Sequence, residues 1–429
     1  MKYSEAVQYI ESLTCEPQNA MYFTGRLLEA MRSPQHSYRS VHIAGTNGKG
    51  STCAMVESIV RAAGYKTGMF VSPHVNSPRE RIRVDNQLIS EQDFARTAEY
   101  VKTKAEENGI MGFGYFGFLA AMAYVYFNWN DIDLAVVEAG LGGRLDQTSV
   151  INPLVCVLTS ISQDHTQYLG DSLSGIAREK CGIITDGCAV VSQGQQHEAA
   201  AAIDGLCKEK MRSLIFTSSM QITRKECATG ELFDACLGAS SCEDIYIPLF
   251  GQAQIENAKA AILTSIELGK NGFDLDIAHI KAGLANVQWP CRFERIAYDG
   301  ICLILDGAHN VDAAKRLADT YSEREAQKAV LLCAVMKDKD AKGIIKALTP
   351  IAQRAVCTIA DEQKGMKVKK LASLFEIKAA PLISPKAALE KAVRFAKDGS
   401  GIVLVAGSFY LCGIIKALIE ETKQEETFA

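Results

Sequence analysis

Short apolar runs alternate with longer amphipathic stretches along nearly the whole chain. The first pair is "SVHIA", a buried-strand pattern, and "STCAMVESIVRAAG", a helix that ends at Gly64, with a glycine-rich turn between them. "KTGMFVS" is the next strand, and a helix opens at Ser90 with Asp93 three residues on as an approximate capping box. "LAVVEAG", "PLVCVLTSI" and "CAVVSQ" follow as strands, separated by helices at 118–127 and within "SLSGIAREKCGI". The stretch 212–250 is less regular and predicts an antiparallel edge; a helix from Ile255 to Leu268 closes the region. Beyond Pro290, which breaks the preceding helix, "ICLILDGAHN", "AVLLCAV", "AVCTIA" and "GIVLVAGS" restart the alternation. The pattern predicts an α/β protein with a mainly parallel sheet and a second, smaller α/β domain, divided as 1–294 and 295–429.

One stretch complicates the picture. From Asn108 to Asn130 no residue is charged, and these 23 residues are long enough to span a bilayer. Glycines at 109, 112, 114 and 117 make its first third a poor helix, so the expectation is a glycine-rich loop feeding a core helix.

Composition narrows the setting. A chain of 429 residues exceeds one ordinary core, and 48% apolar with 22% charged residues is a soluble globular balance. A net charge of −4 argues against a broad basic surface for nucleic acid. The 14 cysteines are scattered, several inside apolar runs, and read as small buried hydrophobes in a reducing cytoplasm rather than a disulfide framework. The N-terminal residues show no basic-then-apolar export signal. The expected setting is cytoplasmic, with small-molecule substrates, no nucleic acid or membrane partner, and a monomeric state.

"GTNGKGS" carries the first sign of chemistry. The usual phosphate loop reads G-x-x-x-x-G-K-[ST]; here Gly45 stands three residues before Gly48, and Gly50 separates Lys49 from the hydroxyl of Ser51. A strand before it, a helix after it, backbone amides at the helix start and a lysine among glycines all suit a phosphate. A plain glycine turn with an exposed lysine is the other reading of the loop taken alone.

The shifted loop resembles that of the Mur-type ATP-dependent amide ligases, in particular their folylpolyglutamate and dihydrofolate synthase branch. "VSPHVNSPRERIRV", "VVEAGLGGRLDQTSV", "LTSISQDHTQYLG", "IAREKCGII", "GQAQIENAKAAI", "VQWPCRFE", "ILDGAHNVDAA", "VMKDKD" and "LVAGSFY" follow in that family's order, from about residue 40 to 410. The resemblance implies a P-loop ATPase domain and a smaller Rossmann-like C-terminal domain that closes over the nucleotide and binds glutamate, with the site in the cleft between them. It implies that ATP phosphorylates a folate carboxylate and that the amine of L-glutamate displaces the phosphate.

Residue by residue, the resemblance gives ATP to Gly45, Thr46, Asn47, Gly48, Lys49, Gly50, Ser51, Asn257, Arg292, Asp306 and His309. It gives two magnesium ions to Ser72, Glu138 and His165. It makes Lys49, His165 and Lys180 catalytic, Lys180 in some relatives being carbamylated, and gives the substrates to Tyr115, Phe116, Arg144, Leu145, Asp146 and Ser408. For Ser408 a helix cap and a glutamate contact both stand.

Five positions depart from the family pattern: Gly117 and Ala120 replace polar residues, Ala253 a histidine, Cys291 a glycine and Ser149 an asparagine. Because the segment of Gly117 and Ala120 lines the pterin side in relatives, substrate recognition is where change is expected. The competing readings are a Mur-type ligase for a non-folate carboxylate and a non-catalytic ATP- or folate-binding relative.

Overall fold

The computed structural model describes residues 1–163, 170 and 172–428. They form two units: Met1–Pro248 with Gln254–Gln288, and Leu249–Ala253 with Trp289–Ala429.

The first unit is built on an eight-stranded sheet. Its strands are β1 (Arg39–Ala44), β2 (Thr67–Phe70), β3 (Ile82–Val84), β4 (Gln87–Leu88), β5 (Leu134–Glu138), β6 (Val155–Leu158), β7 (Ala189–Ser192) and β8 (Leu214–Phe216). The order is β4-β3-β2-β5-β1-β6-β7-β8, with the β2–β3 and β3–β4 pairings antiparallel and the others parallel. Every residue of β5 and β6 is buried, as a parallel sheet covered on both faces requires. Ala135 and Val137 of β5 face a core made with the helices Tyr3–Ser12, Pro17–Ala30, Glu91–Glu107 and Gly114–Trp129. Side chains alternate along a strand, so Glu138 points to the opposite face beside its register partner Ile43. The helix Lys49–Ala62 packs on that face.

The uncharged stretch becomes helix earlier than expected, at Gly114, and is buried almost all round. Gly117 is accommodated because Thr24 and Gln147 fill the space where its side chain would be: a Cβ would lie 2.2 Å from Thr24 Oγ1. Among the described residues no helix is long and apolar enough to cross a membrane. Ser90 caps its helix as expected, its hydroxyl accepting the Asp93 N–H.

The region 212–250 is resolved differently from the expected antiparallel edge. β8 joins the large sheet in parallel, and β9 (Met220–Lys225), β10 (Glu231–Leu237) and β11 (Ser240–Ile247) form an antiparallel sheet of their own. Phe233, Ile245 and Ile247 are buried on one face of it while their neighbours are wet, an alternation that suits a one-sided sheet.

The second unit carries β12 (Glu294–Tyr298), β13 (Ile301–Leu305), β14 (Ala329–Cys333), β15 (Ala352–Cys357), β16 (Ala379–Pro381) and β17 (Ile402–Ala406) in the order β12-β13-β17-β14-β15-β16. Only β12 runs antiparallel among these described strands. β13 and β17 are neighbours in register, which brings the residues that follow them, Asp306 and Ser408, to one end of the sheet.

Candidate active site

β1 runs into the loop 45–48, and the helix Lys49–Ala62 starts directly after it. Two glycines make this path possible. A Cβ on Gly45 would lie 1.8 Å from Thr159 Oγ1, and one on Gly48, whose φ is +91°, would lie 2.4 Å from Asn257 Oδ1. The N–H groups of Thr46 and Asn47 both donate to the Ser160 carbonyl, at 2.8 and 3.3 Å. The first helical hydrogen bond then runs from the Thr52 N–H to the Gly48 carbonyl. The amides of Gly48, Lys49, Gly50 and Ser51 precede it and have no intrahelical acceptor. These four amides, at the positive end of the helix, could hold an anion, while the Thr46 and Asn47 amides donate to Ser160.

Lys49 sits over this cradle. Its Nζ donates to the Thr46 carbonyl at 3.2 Å and lies 3.9 Å from Glu138 Oε1. Glu138 closes β5, is 3% exposed, and accepts the Ser72 N–H on Oε2 at 3.0 Å. Ser51 Oγ is buried and has no hydrogen-bond partner among the described residues. A buried carboxylate and a buried hydroxyl awaiting a partner are oxygen donors of the kind that magnesium and phosphate oxygens take. The residues present thus fit the expected metal.

Lys180, the last residue of the helix Leu173–Lys180, is buried and donates to the Gly45 carbonyl at 2.8 Å. It is thereby joined to the same loop from a distant part of the sequence. His165 lies outside the described residues.

Asn257 is also at the loop, with its amide engaged internally. Its Oδ1 accepts from Gln193 Nε2 at 2.8 Å, and its Nδ2 donates to Gln254 Oε1 at 3.0 Å.

The residues expected at the substrates divide into inward and outward ones. Asp146 is buried and accepts the Leu141 N–H at 2.7 Å, the Thr148 N–H at 3.0 Å and the Thr148 hydroxyl. Burial raises its carboxyl above the ordinary value, with these hydrogen bonds acting the other way. It shapes its own loop, which Ser149 ties further by donating to the Gly143 carbonyl at 2.6 Å. The Thr148 hydroxyl also meets His42 Nε2 at 2.8 Å, and burial pushes His42 down to about 3. Arg144 and Leu145 are outward; Arg144 pairs with Glu179 Oε1 at 2.9 Å. Tyr115 lies under the Arg81 guanidinium at 5.4 Å, and Phe116 packs on Phe70 at 5.5 Å. Ala120 is wholly buried in the core and Gly117 is pressed against Thr24. Both departures are accommodated by packing.

In the second unit, Phe409 organises the expected residues. The Arg292 guanidinium lies 4.5 Å from its ring centroid and the His309 ring 5.4 Å, so the phenyl ring gathers both. His309 Nδ1 is 2.9 Å from the Gly307 carbonyl. Asp306 is held by the N–H groups of Phe293 and Ala308, both at 2.9 Å; burial raises its carboxyl and the nearby Arg292 charge lowers it. Ser408 is buried and accepts the Tyr410 N–H at 3.2 Å, which favours its role as a helix cap. Cys291 has φ +59°, a left-handed conformation that suits the glycine expected at this position.

Sequence reading missed Phe409, Gln193 and Gln195. "AGSFY" and "VSQGQQ" both stand at the C-terminal ends of parallel strands, where such sheets build sites, and that position was the available signal.

Comparison with known proteins agrees with this geometry. Residues 43–265 match the Mur ligase middle domain and residues 291–409 the Mur ligase glutamate ligase domain. The chain is 32% identical over 403 residues to a dihydrofolate synthase/folylpolyglutamate synthase of Bacillus subtilis, covering 91% of this chain and 93% of that one. It is 36% identical over 372 residues to the protein of the same name from Mycobacterium tuberculosis, covering 81% and 75%. The structure of Mycobacterium tuberculosis folylpolyglutamate synthase complexed with ADP superposes with a TM-score of 0.90 at 30% identity, covering 97% of this chain and 98% of that one. A folylpolyglutamate synthase complex with AMPPCP and folate gives 0.86 at 27% identity, covering 97% and 99%. The chain belongs to the Mur ligase family, in its folylpolyglutamate and dihydrofolate synthase branch, and is an ATP-dependent ligase.

Proposed function

We propose that the chain joins L-glutamate to the terminal carboxylate of a reduced folate, coupled to cleavage of ATP through an acyl phosphate. The observation that carries the reading is the convergence of Lys49, Glu138 and four amides of a helix start on one loop. Relatives named for folate ligation, and a relative's complex with AMPPCP and folate, support the choice of substrates.

A carboxylate is a poor electrophile at neutral pH. In the first step its oxygen attacks the γ-phosphorus and the bond to the β-phosphate oxygen breaks, leaving ADP and the acyl phosphate. Lys49 and the amides of Gly48–Ser51 offset the charge that gathers on the transferring group. Glu138 and Ser51, with Ser72 and His165, would hold magnesium, which supplies electrostatic relief between two anions. In the second step the glutamate amine attacks the acyl carbon, loses a proton, and inorganic phosphate leaves with the bridging oxygen. Lys180 steadies Gly45 at the head of the loop; carbamylated, it would still keep one N–H for that carbonyl. To Arg292, Asp306 and His309 the reading gives the nucleotide, and to Ser408 and the loop of Arg144 the substrates.

Dihydropteroate is a second acceptor on the same chemistry. With Gly117 and Ala120 in the core, the sequence departures give no reason to set it aside. The protein acts as a monomer in the cytoplasm on small molecules alone; its fourteen cysteines, none in a disulfide among the described residues, suit a reducing compartment. The test is phosphate release with magnesium and glutamate, comparing tetrahydrofolate, dihydropteroate and no acceptor. Release that requires glutamate and tetrahydrofolate, with a product heavier by one glutamyl residue, is expected. Glutamate-independent release, or none with either acceptor, would overturn the reading.

A further inference from the structure

The phosphate loop hangs from two supports, and one buried side chain joins them. The first support is the Ser160 carbonyl, which takes the N–H groups of both Thr46 and Asn47. The second is Asn257 Oδ1, which stands where a Cβ of Gly48 would be. Gln193, which follows β7 and is 3% exposed, reaches both. Its Oε1 accepts the Ser160 N–H at 3.0 Å, and its Nε2 donates to Asn257 Oδ1 at 2.8 Å. Gln195, two residues on, grips only the first support: it accepts the Ile161 N–H and donates to the Thr159 carbonyl, each at 3.0 Å.

We propose that Gln193 is a positioning residue that sets the phosphate loop by fixing Ser160 and Asn257 relative to each other. The amide group is the chemistry this needs. One end must accept and the other donate, both partners are buried, and neither a carboxylate nor an aliphatic side chain supplies the pair. Its loss removes the Gln193 oxygen from the Ser160 N–H and leaves Asn257 Oδ1 with the longer bond from the Thr52 hydroxyl at 3.4 Å, so the side chain that walls Gly48 loses its shorter anchor. The inference rests on the reading of this loop as the ATP site.

The experiment measures ATP affinity by calorimetry, together with KM for ATP and for glutamate, in Gln193→Met and Gln193→Glu. Gln193→Met, of similar length and without polar atoms, should weaken ATP about tenfold or more, as expected for unpaired buried groups, and leave KM for glutamate within about twofold. In Gln193→Glu the ionised carboxylate still accepts from Ser160 but cannot donate to Asn257. Protonation restores the donor, so its ATP affinity relative to the unaltered chain should recover as pH falls from 8 to 6, a response that a merely structural loss would not give. Thr264→Ala, which removes a buried hydroxyl bonded to the Ala260 carbonyl, lowers stability without touching the loop and should leave ATP affinity unchanged. Folded variants that bind ATP as the unaltered chain does, or that weaken ATP and glutamate equally, would overturn the inference. If Gln193→Met does not fold, Gln193→Glu and its pH response decide. An unaltered chain that binds no ATP would remove the nucleotide reading itself, and this inference with it.

Discussion

Glycine at position 48 is required for two separable reasons, and the glycine beyond the other end of the helix Lys49–Ala62 is its control. Gly48 precedes that helix with φ +91°, and Gly64 follows it with φ +86°. Both adopt a left-handed conformation that costs an alanine about 1–2 kcal/mol. Only Gly48 of the two is also crowded: a Cβ there lies 2.4 Å from Asn257 Oδ1, whereas at Gly64 nothing lies within 4 Å. Ordinary contact begins at 3.4 Å, so in Gly48→Ala the Asn257 amide must retreat by about 1 Å. Its bond from Gln193, now 2.8 Å, would then leave hydrogen-bonding range. A broken buried hydrogen bond adds about 1–3 kcal/mol. Gly48→Ala should therefore lose about 2–5 kcal/mol at the loop, and Gly64→Ala about 1 kcal/mol, part of its strain being offset by a less flexible unfolded chain. Thermal melts and ATP titration by calorimetry separate the two. Gly48→Ala should weaken ATP by more than about thirtyfold, and Gly64→Ala should lower the melting temperature slightly with ATP affinity intact. Equal effects of the two substitutions on ATP would refute the steric reasoning.

Other expectations follow from single contacts. Lys49→Met removes the ammonium group 3.9 Å from buried Glu138, so phosphate release should fall by more than about a hundredfold, and stability should fall as well, checked by initial rates and urea unfolding. His42 has a folded value of about 3 against 6.5 unfolded; the unfolded chain takes the proton first, so this stability is whole above pH 6.5 and is lost as pH falls toward 3. Urea midpoints between pH 7 and 4.5 should decline with a component that His42→Gln removes. Gly117→Val must displace Thr24 and Gln147, and should lower stability by about 2 kcal/mol or more in thermal melts.

The strands and the phosphate loop were legible because their signals are local. A buried parallel strand is a continuous apolar run, and a helix beginning among glycines after such a run leaves few alternatives. The helix start at Gly114 was not legible, because glycine at 117 depends on Thr24, far away in sequence. For the same reason the close packing of Ala120 in the core and of Gly117 against Thr24 could not be read from the sequence. Asp146 was singled out by its motif, but its partners Leu141 and Thr148 show it holding its own loop. Gln193 and Phe409 were passed over because an amide or a phenyl ring has no chemistry until its neighbours are known. The left-handed φ of Cys291, conversely, explains a departure that composition could only note.

Carboxylate activation is the centre of this account, and oxygen transfer tests it most directly. Tetrahydrofolate labelled with oxygen-18 in its terminal carboxylate would be turned over with ATP, magnesium and glutamate, and the phosphate and product analysed by mass spectrometry. Passage through an acyl phosphate predicts one labelled oxygen in each phosphate released and one retained in the new amide. Phosphate free of label, alongside an amide product, would contradict the mechanism.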